Sequence, residues 1–340
     1  MATVSLAPLP LLRLHRLRPP QRAQQPRLSV VIVNYRRWRH CRRLIRQILE
    51  QRTRSRYRCE IILVDNASPA PPPPWLQRLP VRLVRMPANK GFAAGVNAGW
   101  RHSRSPWLLV LNPDIRLPQG FFPRLRRVMD ELDGTPAGKR IGVVGFQLRN
   151  ADGTLQGSAG RFPTLIRLVC GLLRARKRRK YLTVHLDRPQ PVPWVTGSCM
   201  MLRRRCLHHL GGLDERFFLY YEDVDLCRRA QQAGWQVRYE PRVWATHLHP
   251  LQNRVRSPAL HLLTRHACLT YFAKYFPGAR LRLLTRLMDL EACWYWLLAR
   301  VRGRPQAARI YRLFWQMTAR FRAGDWHTAR QLLAQSLRDI

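Results

Sequence analysis

Leu28–Asn34, LSVVIVN, and Glu60–Asp65, EIILVD, decide the fold. Each is an unbroken apolar run ending on a polar residue, the pattern of a strand covered on both faces in a parallel sheet. Between them Trp38, Cys41, Leu44, Ile45, Ile48 and Leu49 recur at helical spacing, which predicts a helix over residues 38–50. Reading outward, Val81–Met86 is a third strand and Gly91–His102 a small-residue helix. Trp107–Asn112, WLLVLN, is a fourth strand, followed by a helix around Phe121–Met129 and a fifth strand at Ile141–Gln147. The Pro-rich stretch Pro69–Pro74 permits only loop. Strands alternating with helices predict an α/β fold with a mostly parallel sheet, its ligands held at the carboxyl ends of the strands.

The second half is less regular. Asn150–Gly153, NADG, signals a turn between two short segments. Pro193–Leu202 reads as a strand interrupted by Gly197, and Trp235–Tyr239 is strand-like. From about Ala259 the pattern is helical. Leu281–Val301 sets Trp294, Tyr295, Trp296 and Leu297 beside Arg282, Arg286 and Arg300, an amphipathic pattern that fits packing on the rest of the chain or lying on a membrane. Residues 1–26 read as a basic disordered arm, because Pro8 and Pro10 break the apolar stretch and the positive charge follows it, unlike a signal peptide. The chain therefore divides into that arm, an α/β domain over 27–255 and a helical C-terminal region over 256–340.

Composition narrows the partners. The 340 residues carry 61 Lys+Arg against 19 Asp+Glu, a net charge of +42. Such charge fits an anionic membrane face, a nucleic acid, or a solvated Arg-rich surface with no partner. The basic residues are spread along the chain and no nucleic-acid motif appears, so specific nucleic-acid binding is not expected. Arg174–Lys180, RARKRRK, is a charge run that reads as a mobile loop. The eight cysteines form no C-x-x-C pair, which excludes the usual zinc and redox motifs and points to reduced thiols in a cytosolic protein. No apolar run reaches the roughly 18 residues of a membrane-spanning helix.

The first strand leads into Asn34-Tyr35-Arg36-Arg37, with no G-x-G-x-x-G, and no P-loop occurs anywhere. Dinucleotide and P-loop phosphate cradles are therefore missing. A divalent cation would neutralise a nucleotide's phosphates in their place, and Asp114, in Asn112-Pro113-Asp114 beyond the fourth strand, is a candidate ligand. The same tripeptide also fits a plain turn. A second acidic cluster, Tyr220-Tyr221-Glu222-Asp223-Val224-Asp225, opens a helix whose Val224, Cys227, Ala230 and Ala233 recur every three residues. Acids cap helices, but three carboxylates beside two tyrosines exceed what a cap needs, so one is a candidate general base. Asn89–Asn97, NKGFAAGVN, fits close approach of the backbone to a ligand at Gly91 and Gly95, and equally capping and tight packing alone, while His247, a lone histidine in THLH, also fits a structural or surface role.

Taken in order, Val30–Tyr35, Ile62–Ser68, Asn89–Gly99, Leu108–Asp114, Thr196–Arg204 and Gly211–Trp235 resemble the inverting glycosyltransferases of family 2. Those enzymes have the GT-A fold, and the likeness is greatest to their rhamnosyltransferase-type branch. The resemblance implies that Asn34 and Asp65 line the nucleotide pocket with Asn66 beside them, and that Lys90, Gly91 and Asn97 complete the donor site. Asp114 becomes the metal acid of a D-x-D motif whose first acid is replaced by Asn112, and His247 completes the metal shell around Mg²⁺ or Mn²⁺. Asp223 becomes the general base, and Glu222 helps to position the acceptor. The donor implied is a nucleotide sugar, dTDP-rhamnose ahead of galactose, mannose or an amino-sugar donor. The acceptor implied is a lipid-linked or polysaccharide glycan, reached from the inner face of the cell membrane. A basic nucleic-acid-binding protein and a non-catalytic sugar-binding relative are the competing readings.

Overall fold

The computed structural model describes residues 26–55, 57–166, 168, 187–250 and 257–338. The expected basic arm, apart from its last residue, and the Arg174–Lys180 run lie outside these residues, as does the expected domain boundary near 255.

Strands β1 (Leu28–Asn34), β2 (Cys59–Asp65), β3 (Arg82–Arg85) and β4 (Trp107–Leu111) fall where the apolar runs predict. Helices α1 (Trp38–Ser55) and α2 (Phe92–His102) connect them, and α3 (Phe121–Gly134) follows the short β5 (Ile115–Arg116). After the small helix α4 (Pro136–Lys139) come β6 (Ile141–Arg149) and the two-residue strands β7 (Leu155–Gln156), β8 (Ala159–Gly160), β9 (Gln190–Pro191) and β10 (Trp194–Val195). Strand β11 (Cys199–Arg203), helices α5 (Arg204–Leu210) and α6 (Glu222–Gln232) and the long β12 (Gln236–His247) complete the α/β part. Four helices follow: α7 (Pro258–Tyr275), α8 (Ala279–Val301), α9 (Pro305–Arg322) and α10 (Trp326–Arg338).

The main sheet runs β3-β2-β1-β4-β11-β6-β12-β5. Strand β11 is antiparallel to both β4 and β6, while β12 is parallel to β6, so all the long strands except β11 point one way. This is the mostly parallel sheet with flanking helices and a helical C-terminal region that the apolar pattern predicts. Every residue of β1 is buried, and its partners run from Leu28↔Cys59 to Asn34↔Asp65, which sets the two polar chain ends side by side.

One face of the sheet packs against α1 and α3 through Leu44, Ile48, Phe121 and Leu125. The other packs against α2, α6 and the C-terminal helices. Helix α2 lies close because its inner positions are glycine: a Cβ at Gly95 would sit 2.6 Å from Val33, and one at Gly99 2.4 Å from Val31.

The C-terminal helices share one apolar core with the sheet, in which Val31, Met200 and Leu226 join Leu269, Phe272 and Phe314. Polar ties reinforce it. Lys274 of α7 bonds Asp225 at 2.6 Å and Asp214 at 2.7 Å, and Tyr275 donates to Asp225 at 2.7 Å. Burial by itself raises the pKa of Asp214, but hydrogen bonds from Arg216 and Lys274 outweigh it and hold the carboxyl well below the usual range. Arg330 of α10 donates to the carbonyls of Glu215 at 2.6 Å and Lys90 at 3.0 Å. The seven described cysteines are free thiols, six of them buried, and burial pushes Cys59 and Cys206 up to about 12.

Candidate active site

Four strand ends and one helix start converge at a single edge of the sheet. At the end of β1, Asn34 is fully buried and donates to Asp65 Oδ1 and Ser68 Oγ, both at 3.1 Å. Its own oxygen accepts from the Arg37 backbone at 3.0 Å. Asn34 is thus a brace that holds Asp65 and the loop after β1. Asp65 Oδ1 also takes Ser68 N–H at 3.2 Å, while Oδ2 is buried with no hydrogen-bond partner and has Arg85 Nε at 3.5 Å. A buried carboxylate oxygen left open at a strand end is suited to receive a hydroxyl or amide of a ligand.

Asn66 organises the next loop. It donates to Asn89 Oδ1 at 2.8 Å and to the Gly91 carbonyl at 3.0 Å, and accepts from Lys90 N–H at 3.1 Å. Gly91 has φ 92°, and a Cβ there would stand 2.2 Å from the Phe218 carbonyl. Only glycine fits this crossing between the NKGF loop and the loop that leads to α6. Lys90 is exposed, with its backbone held from both sides by Asn66 and Arg330. Asn97 lies elsewhere. It is buried in α2, donates to the Leu213 carbonyl at 2.8 Å and Glu215 at 2.9 Å, and accepts from Leu213 N–H at 2.8 Å. Its amide ties α2 to the loop after α5 and faces that loop.

The metal pair expected from the resemblance is brought together. Strand β12 runs through to His247, which stands opposite Ile115 of β5 and so beside Asp114. His247 Nε2 is 3.4 Å from Asp114 Oδ1, and Nδ1 is 3.1 Å from the Gln156 amide. Two atoms here are buried without hydrogen-bond partners: His247 Nε2 and Gln156 Oε1. Both fall into place if the Gln156 amide turns its oxygen to an Nδ1–H, because Nε2 then offers a bare lone pair beside Asp114. A carboxylate oxygen and an imidazole nitrogen at this separation suit Mg²⁺ or Mn²⁺, whose ligands at ~2.1 Å stand about 3 Å apart. Among the described residues no group of three or more His, Cys, Asp or Glu gathers as a cation site. A cation held by Asp114 and His247 alone would keep positions for phosphate oxygens and water.

The acidic cluster divides its work. Asp225 is fully buried and spent on Arg229 at 2.8 Å, Lys274 and Tyr275. Asp223 faces the other way: Oδ2 accepts Gly197 N–H at 3.0 Å and Oδ1 accepts Val224 N–H at 2.8 Å. Two backbone bonds fix its orientation and leave each oxygen a further lone pair. Next to Gly197, the Ser198 carbonyl accepts Asn112 N–H at 2.9 Å. Asp223 and the Asn112–Asp114 loop are therefore anchored to adjacent residues, Gly197 and Ser198, of the short joint before β11. Glu222 is buried beside them.

The backbone is strained around this edge. The described non-glycine residues with left-handed φ are Arg36 (57°), Ala67 (57°), Tyr220 (73°) and Tyr221 (66°). They lie just beyond β1, just beyond β2 and immediately before Glu222. Such conformations persist where surroundings impose them, and they cluster at ligand sites. Ser68, given no role of its own within Ile62–Ser68, and Gln156, outside the motifs, also belong here. His40 is another, stacked edge-on against His249 at 5.7 Å. Burial, then Arg37 and Arg43, lowers its basicity against the opposing charge of Asp114.

Comparison with known proteins identifies the family. The profile of glycosyl transferase family 2 matches residues 29–211, and that of glycosyl transferase family group 2 matches residues 170–326. The chain is 33% identical over 261 residues to an N-acetylglucosaminyl-diphospho-decaprenol L-rhamnosyltransferase of Mycobacterium tuberculosis, covering 70% of this chain and 81% of that one. It is 27% identical over 239 residues to a low-salt glycan biosynthesis hexosyltransferase of Haloferax volcanii, covering 68% and 70%. Among solved structures, a mannosyltransferase from Pyrobaculum calidifontis in complex with GDP-Man and Mn²⁺ aligns over 93% of this chain and 88% of that one, at 17% identity and a TM-score of 0.45. The chain belongs to glycosyl transferase family 2 and is a glycosyltransferase.

Proposed function

We propose that this glycosyltransferase moves a hexose, with rhamnose the leading candidate, from a dTDP-linked donor to a hydroxyl of a lipid-diphosphate-linked glycan. Transfer inverts the anomeric carbon and takes place at the cytoplasmic, anionic face of the cell membrane. The donor and acceptor classes draw support from the name of the mycobacterial relative. The carrying observation is the joint at Gly197–Ser198, which tethers Asp223 on one side and the Asp114 loop, with His247, on the other.

In this reading Asp65 and the loops braced by Asn34 and Asn66 hold the nucleoside, and the NKGF loop closes against the sugar and diphosphate. Asp223 accepts the proton of the acceptor hydroxyl as that oxygen bonds to the anomeric carbon, and the bond from that carbon to the diphosphate breaks. Glu222 orients the acceptor. Asp114 and His247 would hold a divalent cation, which when bound neutralises the charge left on the departing nucleoside diphosphate. A base positioned in this way is typically worth ~10²–10⁴-fold in rate.

A calorimetric titration of dTDP-rhamnose with and without Mn²⁺ tests this directly. Binding should need the cation in the wild type, and Asp114→Ala should weaken it and remove the dependence. Equal affinity in all four arms would reduce Asp114 to a turn residue.

A further inference from the structure

Helix α8 buries one face and displays another. Leu281, Leu284, Met288 and Ala292 pack inward, and Tyr295 stacks on Tyr311 of α9 with ring centres 5.2 Å apart. On the outside, Leu283, Leu290, Trp294, Leu297 and Val301 are all exposed, Leu290 at 69%, Trp294 at 60% and Val301 at 78%. Steps of seven, four, three and four residues each return to nearly the same side of a helix, so these five make one stripe along its length. The sequence alternatives for this segment, packing or membrane, are therefore divided between its two faces.

The charges on α8 sort by the same division. Its two acids turn inward: Asp289 bonds Thr318 and Arg322, and Glu291 bonds Arg265 and His261. Its arginines stay out, with Arg282, Arg286 and Arg300 exposed along one flank of the stripe and Arg280 along the other. A row of large apolar side chains that includes an exposed Trp, edged by arginine and cleared of carboxylates, is what an interfacial helix presents to an anionic bilayer. No helix of the described residues is long and apolar enough to cross a membrane.

We infer that the outer face of α8 is the surface by which the protein lies on anionic lipid, the stripe entering the headgroup region and the arginines meeting lipid phosphates. The inference rests on the membrane-surface reading above and names the face that makes the contact. A second copy of the chain is a poorer occupant, because pairing the face with itself would set arginine rows against each other. The docked enzyme would be held rigidly: α7 grips α6 beside Asp223 through Lys274 and Asp225, and α10 grips the NKGF loop through Arg330. Orientation on the lipid would thereby pass to the donor site without a flexible joint.

The test is co-sedimentation with phosphatidylglycerol-containing vesicles against phosphatidylcholine vesicles, using wild type and a Leu290→Glu, Trp294→Glu double variant. Circular dichroism confirms the fold of each. Wild type should bind the anionic vesicles, less as salt rises, since exposed charges are screened. The double variant should bind at least ~10-fold more weakly, because it loses apolar insertion and gains repulsion. Brominated lipid should quench a fluorescence component that Trp294→Phe removes. Unchanged binding by the double variant, or no Trp294 quenching, overturns the proposal. Sedimentation velocity revealing a wild-type dimer that the double variant breaks would assign the face to a second copy instead. Donor binding is measured on the same samples. If it is absent while lipid binding behaves as described, the transfer reading fails and the docking face stands.

Discussion

Replacing Asp225 by alanine should unfold the protein's internal brace and leave its chemistry nearly intact. Asp225 is buried and takes three bonds, from Arg229 at 2.8 Å, Lys274 at 2.6 Å and Tyr275 at 2.7 Å. Removing one member of a buried ion pair costs ~3–5 kcal/mol, because the partner charge is left uncompensated. Here Lys274 keeps Asp214 at 2.7 Å, and Arg229 keeps the carbonyls of Leu210 and Gly212, both at 2.9 Å. The loss should therefore sit at the low end, about 3 kcal/mol. For a chain of this size that corresponds to a fall in Tm of about 6 °C, at roughly 2 °C per kcal/mol. Urea unfolding followed by tryptophan fluorescence measures the free energy, and calorimetry with a nucleotide sugar measures donor affinity at a temperature where the variant is folded. The expected result is a large stability loss with donor affinity within a few-fold of wild type. A loss below ~1 kcal/mol together with a 100-fold fall in turnover would refute the division of the acidic cluster and move Asp225 into the chemistry.

Gln156→Leu should weaken Mn²⁺ binding by ~10–100-fold by releasing the His247 ring, as loss of a group that orients a metal-binding histidine commonly does. Electron paramagnetic resonance titration reads this without turnover, and unchanged affinity would remove Gln156 from the site. Burial, with Arg330 nearby, depresses the pKa of His266 to about 3, so the folded state stays neutral where the unfolded chain takes a proton below its ordinary 6.5. Stability from this group is then present above pH 6.5 and lost as pH falls towards 3, by about 2 kcal/mol between pH 7 and pH 5. Urea midpoints over that range should fall less steeply in His266→Gln than in wild type, and parallel slopes would contradict the assignment.

Much of the fold is legible in the sequence because its strands are covered on both faces. Leu28–Asn34 is read to the residue, and β2, β3 and β4 to within a residue or two at each end. The second half departs from its pattern for local reasons. Strand β12 extends to His247 although Trp235–Tyr239 alone looks strand-like, because a bulge between Glu240 and Trp244 carries the chain past Pro241. Buried Glu240 closes that bulge on Arg242 at 2.7 Å. His247 is consequently the last residue of a strand, a position that a lone histidine in sequence does not reveal. Gly197 is more than an interruption: β10 and β11 belong to different sheets, and the joint between them carries Asp223 and the Asp114 loop. The sorting of Asp223 from Asp225 depends on Lys274 and Tyr275, far along the chain. Asn97 falls within the NKGFAAGVN motif, yet its amide is consumed by the loop at Leu213, since helical spacing turns it away from Gly91.

The measurement closest to the central claim is turnover by Asp223→Asn with dTDP-rhamnose, Mn²⁺ and a lipid-diphosphate-linked acceptor. Asparagine has one oxygen where Asp223 uses two to meet Gly197 and Val224, so a stability loss of about 1 kcal/mol is expected and must be measured alongside. Donor affinity should stay near wild type, because the residues proposed to hold nucleotide and metal are untouched. Turnover should fall by ~10²-fold or more, since the amide cannot accept the acceptor's proton. A folded Asp223→Asn protein that binds donor and keeps most of its turnover would contradict the account.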